Sequence, residues 1–130
     1  MPARRRTDPV AGAAALQAWR TDQQGSPRET LATAVRFTLE SLAEKAPGHA
    51  IEVRVPPYGV VQCGPGPRHT RGTPPNVVEA DPSTWLRLAI GELSWGEALA
   101  SGSVRASGAR ADLASWLPVQ PADPEPEPEH

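Results

Sequence analysis

The polar segment at residues 68–73 holds the densest group of side chains that could do chemistry in this chain. It reads Arg-His-Thr-Arg-Gly-Thr and has proline on both sides. Arginine binds phosphate or carboxylate through paired hydrogen bonds, and backbone N–H groups can complete such an anion site. The residues that would contact an anionic headgroup are His69, Arg71, Thr73 and Asn76. The commoner arrangement is a solvated connection whose arginines pair with Glu52 or Glu79.

Nucleophilic and metal chemistry find weak support in the same region. Cys63 and His69 are the residue types of a thiolate–base pair or of two metal ligands. A catalytic pair also needs an orienting third group and oxyanion donors, and a structural zinc site needs four ligands. His49 is the one further imidazole inside the chain, and the turn at residues 64–67 lacks the lysine of a phosphate-binding loop. We therefore expect no catalytic residue, no metal and no cofactor.

Four tryptophans dominate the aromatic content, beside one Phe and one Tyr. Three of them, Trp85, Trp95 and Trp116, follow one another in the last part of the chain. Each buried ring removes roughly 150–250 Å² from water, which is a gross gain of about 4–6 kcal/mol. Residues 85–116 are therefore expected to close either an apolar core or a ligand pocket.

Composition excludes several classes of partner. A formal net charge of -2 argues against general nucleic-acid binding, which needs a clustered excess of Lys and Arg. A single cysteine cannot form an internal disulfide and favours a reducing, cytoplasmic setting. Residues 10–16 are too weakly apolar for a signal peptide, and no segment reaches the roughly 20 apolar residues of a membrane span. We expect a soluble protein without stable membrane insertion.

The chain divides into three parts by composition. Residues 1–25 form an N-terminal helical extension, whose alanine-rich helix at 11–19 has little to bury and should dock loosely. Residues 26–119 form one domain. Residues 120–130 are acidic, rich in proline and free of large apolar side chains, which predicts a disordered tail.

Periodicity predicts the elements of the domain. A helix begins at a Ser26-Pro27 capping box and carries an apolar stripe formed by Leu31, Ala34, Val35, Thr38, Leu39 and Leu42. Strands follow at 51–55, 58–63 and 76–80, and Asp81-Pro82 starts a helix that ends at Gly91. Ser94 caps a short helix that runs through Leu99 and is ended by Gly102. A strand at 104–107 and a helical turn at 112–117 complete an α+β domain.

Several runs of residues match a known family in order. Residues 76–85 read Asn-Val-Val-Glu-Ala-Asp-Pro-Ser-Thr-Trp, Gly-Glu-Leu-Ser-Trp follows at 91–95, and two Ser-Gly pairs end at Gly102 and Gly108. In this order the chain resembles the tail of the sterol carrier protein family. The segments at 52–57 and 69–79 are similar to its stand-alone bacterial branch, as found in actinobacteria.

The resemblance implies both a fold and a function. The fold is a roughly five-stranded, mostly antiparallel sheet covered on one face by helices, with an apolar cavity between them. The implied cavity residues are Leu86, Ile90, Leu93, Trp95, Leu99 and Trp116. The implied function is non-enzymatic binding or carriage of a lipid, fatty acyl or sterol-like ligand. The alternative is a protein-interaction or accessory domain with a filled core and no lipid ligand.

Overall fold

The computed structural model describes residues 6–66 and 76–120. The acidic tail at 121–130 and most of the polar loop lie outside the described residues. The helices are α1 (Pro9–Thr21), α2 (Arg28–Lys45), α3 (Pro82–Ala89) and α4 (Trp95–Ser101). The strands are β1 (Ile51–Val55), β2 (Gly59–Cys63), β3 (Val77–Ala80) and β4 (Val104–Ser107), followed by a 3-10 turn at Ala114–Trp116. None of the helices in the described ranges is long and apolar enough to cross a bilayer.

The sheet has the strand order β2-β1-β3-β4. β1 pairs antiparallel with β2 and parallel with β3, and β3 pairs antiparallel with β4. The sheet of the described residues is therefore mixed and four-stranded, so the expectation of five strands is wrong. The fifth strand came from the family resemblance, whereas the residue pattern itself predicts four. After β4 the chain makes tight turns at Gly108 and Arg110 instead of another ladder.

Alternation along the strands gives the sheet one buried face. Ile51, Val53 and Val55 of β1 are buried, and β1 pairs them in register with Cys63, Val61 and Gly59 of β2. The buried strand residues join those of α2 and α3 in one apolar core. Helices on one face of a sheet are the arrangement that the sequence predicts.

Helix α2 is the central helix of this core. Its predicted apolar stripe is confirmed from Ala34 to Leu42, and Thr38 within it is fully buried. The predicted capping box is wrong, because the Ser26 hydroxyl donates to the backbone carbonyl of Asp22 (2.7 Å). Pro27 takes the N-cap position without a side-chain hydrogen bond, and the helix begins at Arg28.

A buried hydrogen bond joins α2 to α3. The indole N–H of Trp85 donates to the Thr38 hydroxyl oxygen at 2.8 Å, and both residues are fully buried. The hydroxyl in turn lies 2.8 Å from the carbonyl of Ala34. A buried indole N–H group is usually hydrogen-bonded, and the Thr38 hydroxyl oxygen is the acceptor for Trp85, whereas the buried Nε1 of Trp19 has no hydrogen-bond partner among the described residues.

Helix α1 docks closely, and the expectation of loose docking is wrong. Leu16 and Trp19 of α1 are buried against the rest of the molecule, whereas Val10 near its start is 77% exposed. Gly12 lets the two helices approach, because a Cβ atom there would lie 2.7 Å from Cβ of Phe37 on α2 and closer still to its ring. Because Gly12 has no side chain, the alanine-rich helix α1 can pack closely against α2 and bury a large surface.

The predicted helix ends in the last third are confirmed. Asp81 caps α3 with Pro82 at its first position, and Ser94 caps α4 in a reciprocal capping box with Glu97. Gly102 ends α4 in the left-handed conformation (φ +75°), which glycine adopts without strain. The predicted turn at 112–117 is reduced to three residues of 3-10 helix.

The segment after the 3-10 turn returns across the helices. The backbone N–H groups of Val119 and Gln120 both donate to the carbonyl of Ala89 at 2.9 Å. The Lys45 ammonium group donates to the carbonyl of Pro118 at 3.1 Å. These bonds fasten residues 117–120 against the ends of α2 and α3.

Candidate functional site

The structure does not bring the six predicted cavity residues together. Leu86, Ile90 and Trp95 are buried members of the core. Leu99 is 44% exposed. Trp116 is half-buried, and its ring packs over Gly64, where a Cβ atom would lie 3.0 Å from the indole. The role of these six residues as the wall of an apolar cavity stays a prediction.

Two of the six predicted residues line one shallow groove. Leu93 and Trp95 face Leu117 and Pro118 across a volume of about 360 Å³ between the end of α3 and the start of α4. Apolar atoms make up most of its wall. None of the described residues that line this groove is charged, so they offer no contact for an anionic headgroup.

The predicted headgroup loop is described at one residue. His69, Arg71 and Thr73 lie outside the described residues, and Asn76 is buried at their edge. The Asn76 amide donates to the carbonyl of Ala50 at 2.9 Å and accepts from the backbone N–H of Arg110 at 2.9 Å. Both ends of the amide thus hold backbone together, and its role toward a ligand stays a prediction.

Glu52 and Glu79, the predicted partners of the loop arginines, each form an ion pair among the described residues, and their pairing with Arg68 or Arg71 lies outside those residues. The Glu52 carboxylate pairs with Arg54 at 2.6 Å. The Glu79 carboxylate pairs with Arg105 at 2.9 Å. Both pairs lie on the face of the sheet opposite the core, where charged side chains remain hydrated.

Cys63 is unsuited to thiolate chemistry. Its side chain is fully buried at the end of β2, and burial raises the pKa of the thiol to about 12. A thiol with this pKa is neutral near pH 7 and is neither a nucleophile nor a good metal ligand. Within the described ranges, no group of three or more His, Cys, Asp or Glu side chains could hold a metal ion.

A larger opening lies between α2 and β2, and we call it the α2–β2 cleft. Its volume is about 640 Å³, within the usual range of about 300–1,000 Å³ for small-molecule sites. The cleft is lined by Arg6, Thr7, Arg36, Leu39, Glu40, Ala43, Tyr58, Gly59, Val60 and Val61. The lining therefore combines apolar side chains with charged and polar ones in similar measure.

The apolar wall of the α2–β2 cleft depends on a glycine. Gly59 lies on the buried side of β2, in register with Val55. A Cβ atom at Gly59 would lie 3.0 Å from Cδ1 of Leu39 on α2, which is closer than ordinary packing. Any larger side chain at this position would point into the space between strand and helix. Together with Ala43 and Val61, the bare backbone leaves an apolar space open.

Charged groups stand at the rim of the α2–β2 cleft. The Arg36 side chain crosses from α2 to β2, where its Nε donates to the carbonyl of Tyr58 at 3.2 Å. The Glu40 carboxylate accepts from the Thr7 backbone N–H at 3.0 Å and from its hydroxyl at 3.2 Å. With Arg6 in the same wall, guanidinium groups outnumber carboxylates among the described residues of this rim.

The helical pattern of the sequence does not predict this cleft. Arg36 and Glu40 fit the hydrated side of α2, and Leu39 fits its core stripe. The cleft forms where the hydrated side of α2 meets its apolar stripe, next to β2. The periodicity of a helix does not predict which strand will lie beside it. The signal in the sequence was Gly59, a glycine at a strand position that should face the core.

Comparison with known families identifies the family of this chain. A family model described as "Bacterial SCP ortholog" matches residues 27–119, well over half of the chain. The chain belongs to this sterol carrier protein family. The match includes the walls that α2 and β2 contribute to the cleft, whereas helix α1, Arg6 and Thr7 lie outside it. A search of curated proteins gives no match.

Proposed function

We propose that this protein is a non-enzymatic binding or carrier domain for a small amphipathic ligand, held in the α2–β2 cleft. The ligand has a lipid-like or fatty acyl body and an anionic head. Membership of the sterol carrier protein family supports the carrier role. The observation that carries the proposal is the cleft itself, about 640 Å³ of space with an apolar wall and guanidinium groups at its rim.

The two halves of the ligand follow from the two parts of the cleft. Val61 offers a partly exposed apolar surface, from which an acyl chain displaces water, and the buried side chains of Leu39 and Ala43 close the wall behind it. Arg36 offers its guanidinium group, which its bond to Tyr58 orients across the rim. Guanidinium recognises a carboxylate or phosphate oxygen pair by shape as well as charge.

The same residues argue for binding without turnover. Cys63 is a buried neutral thiol, and neither imidazole nor cysteine occurs among the described residues that line the cleft. Acid–base catalysis needs a group within hydrogen-bond reach of the reacting atom, and Glu40 is already occupied by Thr7. A single cysteine, buried and reduced, also fits the cytoplasmic setting that we propose.

Calorimetric titration with dodecanoate tests the proposal. Wild-type protein should bind it, and Gly59→Leu should abolish binding by filling the α2–β2 cleft. Gly96→Leu is the matched control, since a Cβ atom at Gly96 meets nothing within 4 Å. Gly96 lines the shallow groove between Trp95 and Pro118 and not the α2–β2 cleft. Loss of binding in Gly96→Leu alone would move the site to that groove and refute the cleft.

A charge series completes the test. Arg36→Ala should weaken dodecanoate binding about tenfold, which corresponds to about 1.4 kcal/mol for one partly hydrated charge-assisted contact. Arg105→Ala is the control, because it removes a guanidinium group from the opposite edge of the sheet. Equal affinities in both variants would contradict the role of Arg36.

A protein-interaction domain is the second candidate. The observation in its favour is that Leu86 and Ile90, two of the predicted cavity residues, pack among the other buried residues of the core. In that case wild-type protein takes up no dodecanoate, and the polar loop meets a partner protein. Arg71→Ala should then abolish capture of that partner without any ligand effect.

A further inference from the structure

We infer that the N-terminal segment completes the α2–β2 cleft: Arg6 is a second contact for the anionic head, and docking of helix α1 is coupled to ligand binding. The inference rests on the proposed function of the cleft. It concerns residues outside the span that the family model matches, 27–119. The ligand specificity of this chain would therefore differ from that of the matched domain alone.

The first observation is the composition of the cleft wall. Arg6 and Thr7 line the same space as residues of α2 and β2. Without them, the charged side chains among the described residues of the wall are Arg36 and Glu40, whose formal charges cancel. Arg6 gives this rim its net positive charge, so a preference for anions depends on the N-terminal segment.

The second observation is the way in which Arg6 is held. The next residue, Thr7, makes two hydrogen bonds to the Glu40 carboxylate, through its backbone N–H and its hydroxyl. Asp8 then caps α1, with its carboxylate accepting from the backbone N–H of Ala11 at 3.0 Å. Glu40 is therefore a positioning residue, which fixes the backbone next to Arg6 at the rim.

The third observation is the close docking of α1. Gly12 lies against Phe37, and Trp19 is fully buried at the other end of the helix. A helix held at both ends carries its N-cap to a fixed place. If α1 undocks from α2, the hydrogen bonds between Thr7 and Glu40 break and Arg6 moves away from the cleft.

Coupling follows from these contacts by linkage. A ligand that contacts Arg6 binds the docked state of α1 more tightly than the undocked state. It must then stabilise docking by the same factor by which docking raises its affinity. Hydrogen exchange measures this directly, because amides of a helix that undocks locally exchange through that opening.

The test compares amide exchange in α1 with and without dodecanoate, in wild-type protein and in Arg6→Ala. We expect dodecanoate to slow exchange across α1 of the wild type several-fold. Arg6→Ala should bind dodecanoate several-fold more weakly and lose that slowing, while its affinity for dodecanol stays unchanged. Arg105→Ala, the control, should behave as wild type in both measurements.

A second variant separates position from charge. Gly12→Val keeps Arg6 but forces the two helices apart at Phe37, so it should lower dodecanoate affinity as Arg6→Ala does. Wild-type binding with unchanged α1 exchange, and unchanged affinity in Arg6→Ala, would overturn this inference while leaving the proposed function in place. No binding of dodecanoate by wild-type protein would overturn the proposed function and this inference together.

Discussion

The buried bond between Trp85 and Thr38 gives a sharp prediction about stability. Thr38→Val keeps the shape of the side chain and removes the acceptor of the indole N–H. Because Trp85 is fully buried, no water can replace the hydroxyl without a rearrangement of the core. The variant should therefore fold to the same structure with lower stability.

The magnitude follows from two opposing effects. An unsatisfied buried donor costs about 1–3 kcal/mol, and exchanging the hydroxyl for a methyl group returns about 0.8 kcal/mol of apolar burial. We expect a net loss of roughly 0.2–2.2 kcal/mol in the free energy of unfolding, centred near 1 kcal/mol. For a domain with a stability of about 5–15 kcal/mol, this is a large fraction.

Urea unfolding followed by tryptophan fluorescence measures the change. Thr38→Ser is the control, because it keeps the hydroxyl and loses only a methyl group, with a cost of about 0.8 kcal/mol. Trp85→Phe completes a double-mutant cycle, which should give a coupling energy of about 1 kcal/mol with Thr38→Val. A Thr38→Val protein as stable as the wild type, with no coupling, would refute the reasoning.

Three further predictions concern single sites. Gly12→Val should lower the free energy of unfolding by about 1–3 kcal/mol through overpacking against Phe37, measured by urea unfolding; an unchanged midpoint contradicts close docking of α1. Cys63 should resist iodoacetamide at pH 8 in folded protein and react in urea, because burial raises its pKa to about 12; rapid labelling of the native state contradicts this. Hydrogen bonds from the Ser94 backbone and hydroxyl lower the pKa of Glu97, so the capping box stabilises α4 above the ordinary pKa of that carboxyl and is lost as pH falls through the lowered value. Ser94→Ala keeps the backbone donor and removes the hydroxyl, so it should raise the pKa of Glu97 in an NMR titration, and an unchanged pKa contradicts the contribution of the hydroxyl.

Local chemistry made the secondary structure predictable from the sequence. Asp81, Ser94 and Gly102 carry their signals within three or four residues, and the structure confirms all three. The Ser26 capping box failed because the preceding turn offers the carbonyl of Asp22, a competitor that the motif does not reveal. The close docking of α1 was not predicted because it depends on the close approach of Gly12 to the ring of Phe37. Phe37 belongs to another helix, so the residues around Gly12 do not reveal this contact.

The candidate site was harder to predict than the fold. The family resemblance directed attention to residues 85–116, where Leu86 and Ile90 are packed core. The α2–β2 cleft draws its wall from the N-terminal segment, one helix and one strand edge, and no local pattern joins them. The α2–β2 cleft becomes apparent when the structure places Arg6, Arg36 and Gly59 around one space.

A crystal structure of the protein grown with dodecanoate tests the central claim most directly. The proposal predicts density for an acyl chain between Leu39 and Val61, with the carboxylate at Arg36. Density in the groove beside Trp95, or an empty α2–β2 cleft at saturating dodecanoate, would contradict it.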